Sequence, residues 1–489
     1  MTALAQVLEG MTDRIPAAAR TLDVSGMTDD SRQVRPGDLF VAVSGGAADG
    51  HAYLADAVAA GAVAVLAERN ETAVNVPVIV LEDLKRRRGT LAARVYGEPS
   101  AQMTCVGVTG TNGKTSIACF VAELAGCEGE AAGYMGTIGW GRLGALEASG
   151  LTTESAITVQ RRLAGFREQG IDWAVLEVSS HALDQHRVDA VAFDYAVFSN
   201  LTRDHLDYHQ DFDSYGRAKA RLFRFPGLEA AIVNIDDPFG RTLAADLEGQ
   251  VRVVSYGASA DADIRWSDLE FRASGVTGRI ATPWGEGRFE LPLYGDFSVA
   301  NAAAALGVLC ATGRSFPRVL AALAGLSAVP GRMEFFPGRP TLVVDYAHTP
   351  DAVTKMLTAL RPHCAGRLVC LIGCGGDRDR GKRPLMAQAA CHHADVVWLT
   401  SDNPRSEAPE RIIDDMLAGV PEGAAVHVEA ERLVAIRRAA AAAGPEDLVV
   451  IAGKGHEDYQ EIRGRRLPFS DRAIAAELTG KPLRPEGGI

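Results

Sequence analysis

The run Val106-Gly-Val-Thr-Gly-Thr-Asn-Gly-Lys-Thr-Ser116 constrains this chain more than any other, because an apolar strand gives way to a glycine-rich turn ending in Gly113-Lys114-Thr115. Turn glycines let backbone N–H groups close on a polyphosphate. Lys114 neutralises the outer phosphates, the Thr115 hydroxyl can hold Mg²⁺, and the helix that follows points its positive end at the anion. The ligand implied is ATP or GTP. Position 108 is valine, so the general P-loop pattern does not fit, whereas the shorter form Gly110-Thr-Asn-Gly-Lys-Thr115 does. A helix is expected from Ser116 to Ala125.

A chain of 489 residues exceeds the ~250 that one core usually holds, and about three α/β domains are expected. Residues 1–100 read as a small unit with a strand at Asp38–Val43 and a helix at Tyr53–Ala60. Residues 101–329 alternate strands (Met103–Val108, Trp173–Val178, Asp194–Ser199, Ala230–Ile235) with helices, as a parallel nucleotide-binding sheet does. Short strands and turns are expected over Val251–Leu293, then a helix at Ser298–Thr312. After the linker Val329-Pro-Gly331 the alternation restarts, with strands at Thr341–Val344, Arg367–Ile372, Val396–Leu399, Ala425–Val428 and Asp447–Ala452. Residues 330–489 are thus expected to form a Rossmann-like, doubly wound domain. Four polar segments follow these strands: 345–350, 373–378, 401–405 and 453–457. Carboxyl ends of strands are where open parallel sheets bind ligands, and a pocket facing the central domain is expected.

With 47% hydrophobic and 23% charged residues, the chain reads as an ordinary globular protein. The net charge of −12 argues against general binding to nucleic acid or anionic membranes. The first residues carry Glu9 and Asp13 without a basic start and apolar core, so a cytoplasmic location is expected. The Ala-rich stretch 57–67 is too short to span a bilayer. The eight cysteines lack paired spacing and read as reduced thiols, the loose group Cys370, Cys374, Cys391 and His392-His393 included.

Glu177, in Leu176-Glu-Val-Ser-Ser180, follows a strand that reads as buried, where a carboxylate is costly without a cation. Mg²⁺ is its natural partner. The segment Asn200-Leu-Thr-Arg-Asp-His-Leu-Asp-Tyr-His209 concentrates two histidines and two aspartates after another strand, a density suited to metal and phosphate work.

Six segments in order, Gly110–Thr115, Leu176–Ser180, Asn200–His205, Gly295-Asp-Phe-Ser-Val-Ala-Asn301, Pro330-Gly-Arg332 and Asp345-Tyr-Ala-His-Thr-Pro350, resemble the Mur ligases, the ATP-dependent amide-forming enzymes of cell-wall precursor synthesis. Asp30-Ser-Arg32, Gly37–Ala42 and Asp49-Gly-His51 resemble the uridine-binding domain of the branch that adds the third peptide residue. The resemblance implies that Gly110, Thr111, Asn112, Gly113, Lys114, Thr115 and Ser116 bind ATP, with Asn301 at the adenine and Arg332 and Asp345 closing on phosphate and ribose. It implies that Thr115 and Glu177 hold one Mg²⁺, that His205 lies near a second, and that Lys219 is carbamylated, its carbamate oxygen being a hard ligand of the kind Mg²⁺ prefers. On its own, Lys219 reads as an exposed helix lysine. The sugar nucleotide is assigned by the same resemblance to Asp29, Ser31, Thr152, Thr153, Ser179, Gln185 and Arg187. Glu154 stands where the family usually has proline, which places a negative charge near an anionic substrate.

Asp402-Asn-Pro-Arg405 resembles the family's meso-diaminopimelate signature, in which a planar guanidinium can pair with the carboxylate that lysine lacks. Arg378, Gly453 and Glu457 match other amino-acid-binding positions, Glu457 being suited to the distal ammonium. The reaction implied is phosphorylation by ATP of the D-glutamate γ-carboxylate of UDP-N-acetylmuramoyl-L-alanyl-D-glutamate. The amine of meso-2,6-diaminopimelate then attacks the acyl phosphate, and a monomer is expected to do this. The rivals are a lysine-adding ligase, folylpolyglutamate or cyanophycin-type ligases, and a P-loop nucleotide-binding regulator that makes no product.

Overall fold

The computed structural model describes residues 2–44, 49–70, 74–272, 274–481 and 483, with the side chains of Leu206 and Asp207 outside the description. Asp207, one of the two aspartates in the loop noted above, therefore lies outside the described side chains. The chain forms two compact units, residues 1–142 with 147–256 and residues 143–146 with 257–489.

Besides a two-stranded antiparallel pair of Thr2–Ala3 with Asp23–Val24, the first unit contains two larger sheets. Strands β1 (Gly26–Thr28), β2 (Asp38–Ala42), β3 (Ala64–Ala67) and β4 (Val78–Val80) form a parallel sheet in chain order. Alternate residues serve opposite faces: Leu39, Val41 and Leu66 pack beneath helix Leu84–Val95, while Phe40, Ala42 and Val65 pack against helix Leu54–Ala59. The second sheet contains β5 (Thr104–Thr109), β6 (Ala132–Gly136), β7 (Gly139–Gly141), β8 (Trp173–Glu177), β9 (Tyr195–Phe198), β10 (Ala230–Asn234) and β11 (Arg252–Gly257). Its order is β11-β10-β9-β5-β8-β6-β7, parallel throughout except that β7 returns antiparallel to β6. Strand β5, in the middle, delivers the glycine turn directly into helix Lys114–Cys127.

In the second unit, β12 (Ile264–Arg272), β13 (Gly275–Thr282) and β14 (Gly285–Leu291) form an antiparallel meander. These strands are longer than the short strands expected from sequence. Most residues of β12 face outward and are polar, and a register shift between Ser267 and Glu270 interrupts the alternation that reveals a strand. The long helix Asp296–Ala311 follows, buried along nearly its whole length. The third sheet has the order β15-β16-β20-β17-β18-β19, from β15 (Glu334–Phe336), β16 (Thr341–Asp345), β17 (Leu368–Ile372), β18 (Val396–Leu399), β19 (Val426–Val428) and β20 (Leu448–Ala452). Only β15 is antiparallel to its neighbour. Continuous apolar runs are what a parallel sheet covered on both faces requires. Val343, Cys370, Ile372 and Val450 face helices Pro350–Leu360, Lys382–His393 and Pro409–Leu417, whereas Leu342, Val344, Leu371 and Val449 face helices Arg432–Ala442 and Asp471–Thr479. A hairpin of β21 (Tyr459–Ile462) and β22 (Arg465–Pro468) leaves the edge where the polar segments gather.

Candidate active site

The glycine loop is held by hydrogen bonds from the protein itself. Gly110 has φ +144° and Gly113 φ +87°, both in the region that favours glycine. Thr111 donates its N–H to the Asn200 carbonyl at 2.8 Å, and Asn112 donates its N–H to Asn200 Oδ1 at 3.0 Å. The Thr111 hydroxyl bonds the Tyr215 hydroxyl at 3.1 Å and accepts the Thr202 N–H at 3.0 Å. The loop is thereby tied to the segment after β9. Thr115 is buried at the start of the helix, with Ser116 half-buried beside it.

Two lysines converge on this loop. Lys114 Nζ donates to the carbonyls of Gly110 at 3.0 Å and Thr111 at 2.9 Å, and Lys219 Nζ donates to the same Gly110 carbonyl at 2.8 Å. Lys219 is 1% exposed, not the solvent-facing helix lysine its isolated position suggests. Its helix, Phe212–Ala220, turns it inward over the Tyr215 ring, 4.5 Å from the centroid. Burial, with the charge of Lys114 beside it, holds its ammonium well below the usual lysine range, Asp204 opposing the shift.

Glu177 ends β8 at 1% exposure. Its carboxylate accepts from the Tyr134 hydroxyl, from the Thr137 N–H at 2.9 Å and from the Thr137 hydroxyl at 3.3 Å. All three donors are neutral, so the charge is solvated without being neutralised. That donor set fits a divalent cation, and a side chain at Gly136 would run into this carboxylate. His205, with φ +52°, sets its ring edge-on to His181 at 4.9 Å between centroids. Among the described residues, no three His, Cys, Asp or Glu side chains cluster tightly enough to hold a metal by themselves, so the fit rests on Thr115, Glu177, His205 and a modified Lys219.

The residues assigned to the sugar nucleotide fall mainly on one strap around Glu177. The Thr152 hydroxyl bonds that of Thr137 at 3.1 Å. The Thr153 hydroxyl donates to the Glu177 carbonyl at 2.8 Å and accepts the Ser179 N–H at 3.0 Å. Arg187 donates to the Thr153 carbonyl at 2.8 Å and to Gln185 Oε1 at 2.6 Å, and Gln185 donates to the Tyr208 hydroxyl at 3.1 Å. Glu154 does not present a free charge here. It pairs with Arg162 at 3.3 Å and accepts from the Gly150 N–H at 2.9 Å and the Ser149 hydroxyl at 3.0 Å, closing the strap without a proline. In the small sheet Asp29 pairs with Arg88 at 2.7 Å, and Ser31 opens a turn capped by Asp30.

In the second unit, Asn301 is buried in the long helix. Arg332 lies over the Tyr346 ring, 4.0 Å from its centroid. The Asp345 carboxylate accepts the N–H groups of Met333 at 2.7 Å and Ala347 at 2.8 Å, with burial raising its pKa. Tyr294 stacks on Phe335, and the His363 ring is bonded at both nitrogens, to the Arg272 carbonyl at 2.8 Å and the Gly295 N–H at 3.2 Å.

The loops after β17, β18 and β20 meet as expected. Arg405, at φ +51°, donates to the Gly376 carbonyl at 2.7 Å and pairs with Glu461 of the hairpin at 3.3 Å. Asn403 Nδ2 donates to Glu457 Oε2 at 2.8 Å. Gly453 has φ +114°, and a Cβ there would stand 2.6 Å from the Asp402 carboxylate. The Pro404 carbonyl lies so close under Gly376 that a side chain there would strike it. Arg378 is exposed and lines, with Arg380, Glu407 and Arg411, a cavity of about 450 Å³. Of the buried cations not anticipated from sequence, Lys454 and Arg432 touch these loops. Lys454 bonds Asn403 Oδ1 at 3.1 Å and Glu457 Oε2 at 2.7 Å. Arg432 pairs with Asp471, both 0% exposed, and also donates to the carbonyls of Ser401 at 3.1 Å and Ala452 at 2.9 Å. Lys454 sits within the polar segment 453–457. Arg432 lies in an Ala-rich helix that gives no local sign of it.

Comparison with known proteins bears on these sites together. Residues 23–96 match the profile described as "Mur ligase family, catalytic domain", residues 108–309 "Mur ligase middle domain" and residues 331–455 "Mur ligase, glutamate ligase domain". The chain is 47% identical over 466 residues to "UDP-N-acetylmuramoyl-L-alanyl-D-glutamate--2,6-diaminopimelate ligase" of Coxiella burnetii, covering 93% of this chain and 95% of that protein. It is also 47% identical to the protein of the same name in Pseudomonas aeruginosa, with coverage of 94% and 97%. A solved structure of a protein with that name superposes with a TM-score of 0.73 at 38% identity, over 98% of this chain and 99% of the other. The phosphate loop, the buried carboxylate, the inward lysine and the loops of the third sheet thus occur in a chain that belongs to the Mur ligase family of amide-bond-forming enzymes.

Proposed function

We propose that this ligase adds meso-2,6-diaminopimelate to the D-glutamate γ-carboxylate of UDP-N-acetylmuramoyl-L-alanyl-D-glutamate, using ATP, in peptidoglycan precursor synthesis. The observation that carries the choice of amino acid is the turn Asp402–Arg405, which holds Glu457 through Asn403 and seats the Arg405 guanidinium on the Gly376 carbonyl. A cation and a carboxylate held by one turn suit a ligand end that carries both charges.

A carboxylate is a poor acceptor for an amine until it carries a phosphate leaving group. In this reading Lys114 leaves its loop carbonyls for the outer phosphates, and the loop N–H groups hold the rest of the triphosphate. Thr115 and Glu177 would hold Mg²⁺, with His205 and the carbamate of Lys219 at a second, and bound Mg²⁺ supplies charge neutralisation at the transferring phosphoryl group. Lys219 is suited to carbamylation because its depressed ammonium yields the neutral amine that adds CO₂ and releases a proton. Thr152, Thr153, Ser179, Gln185 and Arg187, with Asp29 and Ser31, would orient the sugar nucleotide. Arg332, Asp345 and Asn301 would serve the nucleotide, and Arg378, Arg405, Gly453 and Glu457 the incoming amino acid. The domains in this reading are 1–100, 101–329 and 330–489, acting as a cytoplasmic monomer without nucleic-acid or membrane partners. No described helix is long and apolar enough to cross a membrane. Product formation with meso-diaminopimelate and with L-lysine, compared by kcat/KM, tests the assignment; preference for lysine, or no ligation with either, would reject it.

A further inference from the structure

Lys454 is completely buried, an uncommon state for a lysine, and no step above uses it. Its Nζ donates to Glu457 Oε2 at 2.7 Å and to Asn403 Oδ1 at 3.1 Å, and it lies 5.4 Å from the centroid of the Tyr459 ring. Asn403 Nδ2 binds the same Glu457 oxygen at 2.8 Å. Among the described residues, Oε2 is thus doubly bonded and Oε1 carries no hydrogen bond. Glu457 is fixed with one oxygen anchored and one presented, and its charge is already matched by a fixed ammonium.

From this arrangement we infer that Lys454 is a specificity-determining residue, one that makes the pocket demand a carboxylate as well as an ammonium on the incoming amino acid. The inference rests on the proposed amino-acid-adding reading and names a residue that shapes its choice. A ligand end bearing only an ammonium must share Glu457 with Lys454, and two cations on one carboxylate repel. A ligand end bearing both charges brings its own anion, which offsets the excess cation. Choice here comes from a penalty on the wrong ligand as much as from attraction for the right one. A purely structural lysine would serve both ligands equally.

The test measures kcat/KM for meso-diaminopimelate and for L-lysine, with saturating ATP and UDP-N-acetylmuramoyl-L-alanyl-D-glutamate, in the full-length wild type, Lys454→Met and Lys454→Gln. The glutamine variant keeps donors toward Asn403 and Glu457 without the charge, and urea unfolding of each protein checks the fold. The expected result is that the diaminopimelate-to-lysine ratio drops by roughly tenfold or more, chiefly through a rise for lysine. Equal losses for both amino acids, an unchanged ratio, or failure of both variants to fold would overturn the inference. A wild type that ligates neither amino acid would reject the functional reading itself, a result separable from an unchanged ratio in active variants.

Discussion

Asp471→Ala offers the most direct test of how the loops after β18 and β20, proposed to bind the amino acid, are held. Arg432 and Asp471 share two hydrogen bonds, Nε to Oδ1 at 2.8 Å and Nη2 to Oδ2 at 2.7 Å, and neither side chain is exposed to solvent. The same guanidinium holds the carbonyls of Ser401 and Ala452, the residues immediately before Asp402 and Gly453. Removing the carboxylate deletes two charge-assisted bonds at about 1.5–3 kcal/mol each and leaves a buried cation on two carbonyls. Breaking such a pair from one side typically costs about 3–5 kcal/mol, in line with the sum of the two bonds. In a domain of ordinary size that lowers Tm by roughly 10 °C, and differential scanning calorimetry reads it as a shift of the transition involving the third sheet. Because both anchored carbonyls precede segments proposed to bind the amino acid, KM for the amino acid should rise several-fold while KM for ATP holds. The compensating double variant Arg432→Met/Asp471→Leu should recover most of the lost stability. A fall in stability below about 1 kcal/mol for Asp471→Ala, or an equal rise in both KM values, would refute the reasoning.

Lys219→Ala is expected to abolish ligation while ATP binding, followed by calorimetry, largely survives, and short carboxylates added to the variant should restore some turnover; near wild-type activity in plain buffer would remove the lysine from the mechanism. Arg405→Ala should cost diaminopimelate about 2–5 kcal/mol, roughly 30-fold to several thousand-fold in apparent affinity, and leave weak lysine use nearly unchanged, so competition between the two amino acids reads the effect directly. His363 is held below its ordinary value of 6.5, burial outweighing the bond to Arg272, and its two hydrogen bonds require a neutral ring. The unfolded chain therefore takes up this proton first as pH falls, so the stabilisation is complete above about pH 6.5 and is lost progressively below it. Urea midpoints across that range should slope for the wild type and flatten for His363→Gln.

The parallel strands were legible because each is a short apolar run ending in a turn, and the phosphate loop because its glycines and lysine are contiguous. The strap from Thr152 to Arg187 was legible only through resemblance, since nothing local says that Thr153 bonds Glu177. Burial of Lys219 was hidden for a related reason: its partner, the Gly110 carbonyl, lies 109 residues away in the chain. Glu154 looked like an intrusion of charge because its counter-ion Arg162 sits two turns along the next helix, a pairing that depends on how the strap enters that helix. Arg432 is the clearest case. A helix rich in alanine gave no hint that one arginine would turn inward to a carboxylate 39 residues later.

The tight closure at Gly110 bears on mutational escape. A side chain there would strike Ser199 Oγ and stand 3.1 Å from the Asn200 backbone, in a conformation at φ +144° that other residues rarely adopt. The loop can therefore exchange neither its glycine nor the surface it presents without losing its shape. A small molecule that binds by hydrogen bonds to the main chain of Thr111–Gly113, which is less buried than Gly110, would address a surface from which simple substitution at Gly110 offers this chain little route to resistance.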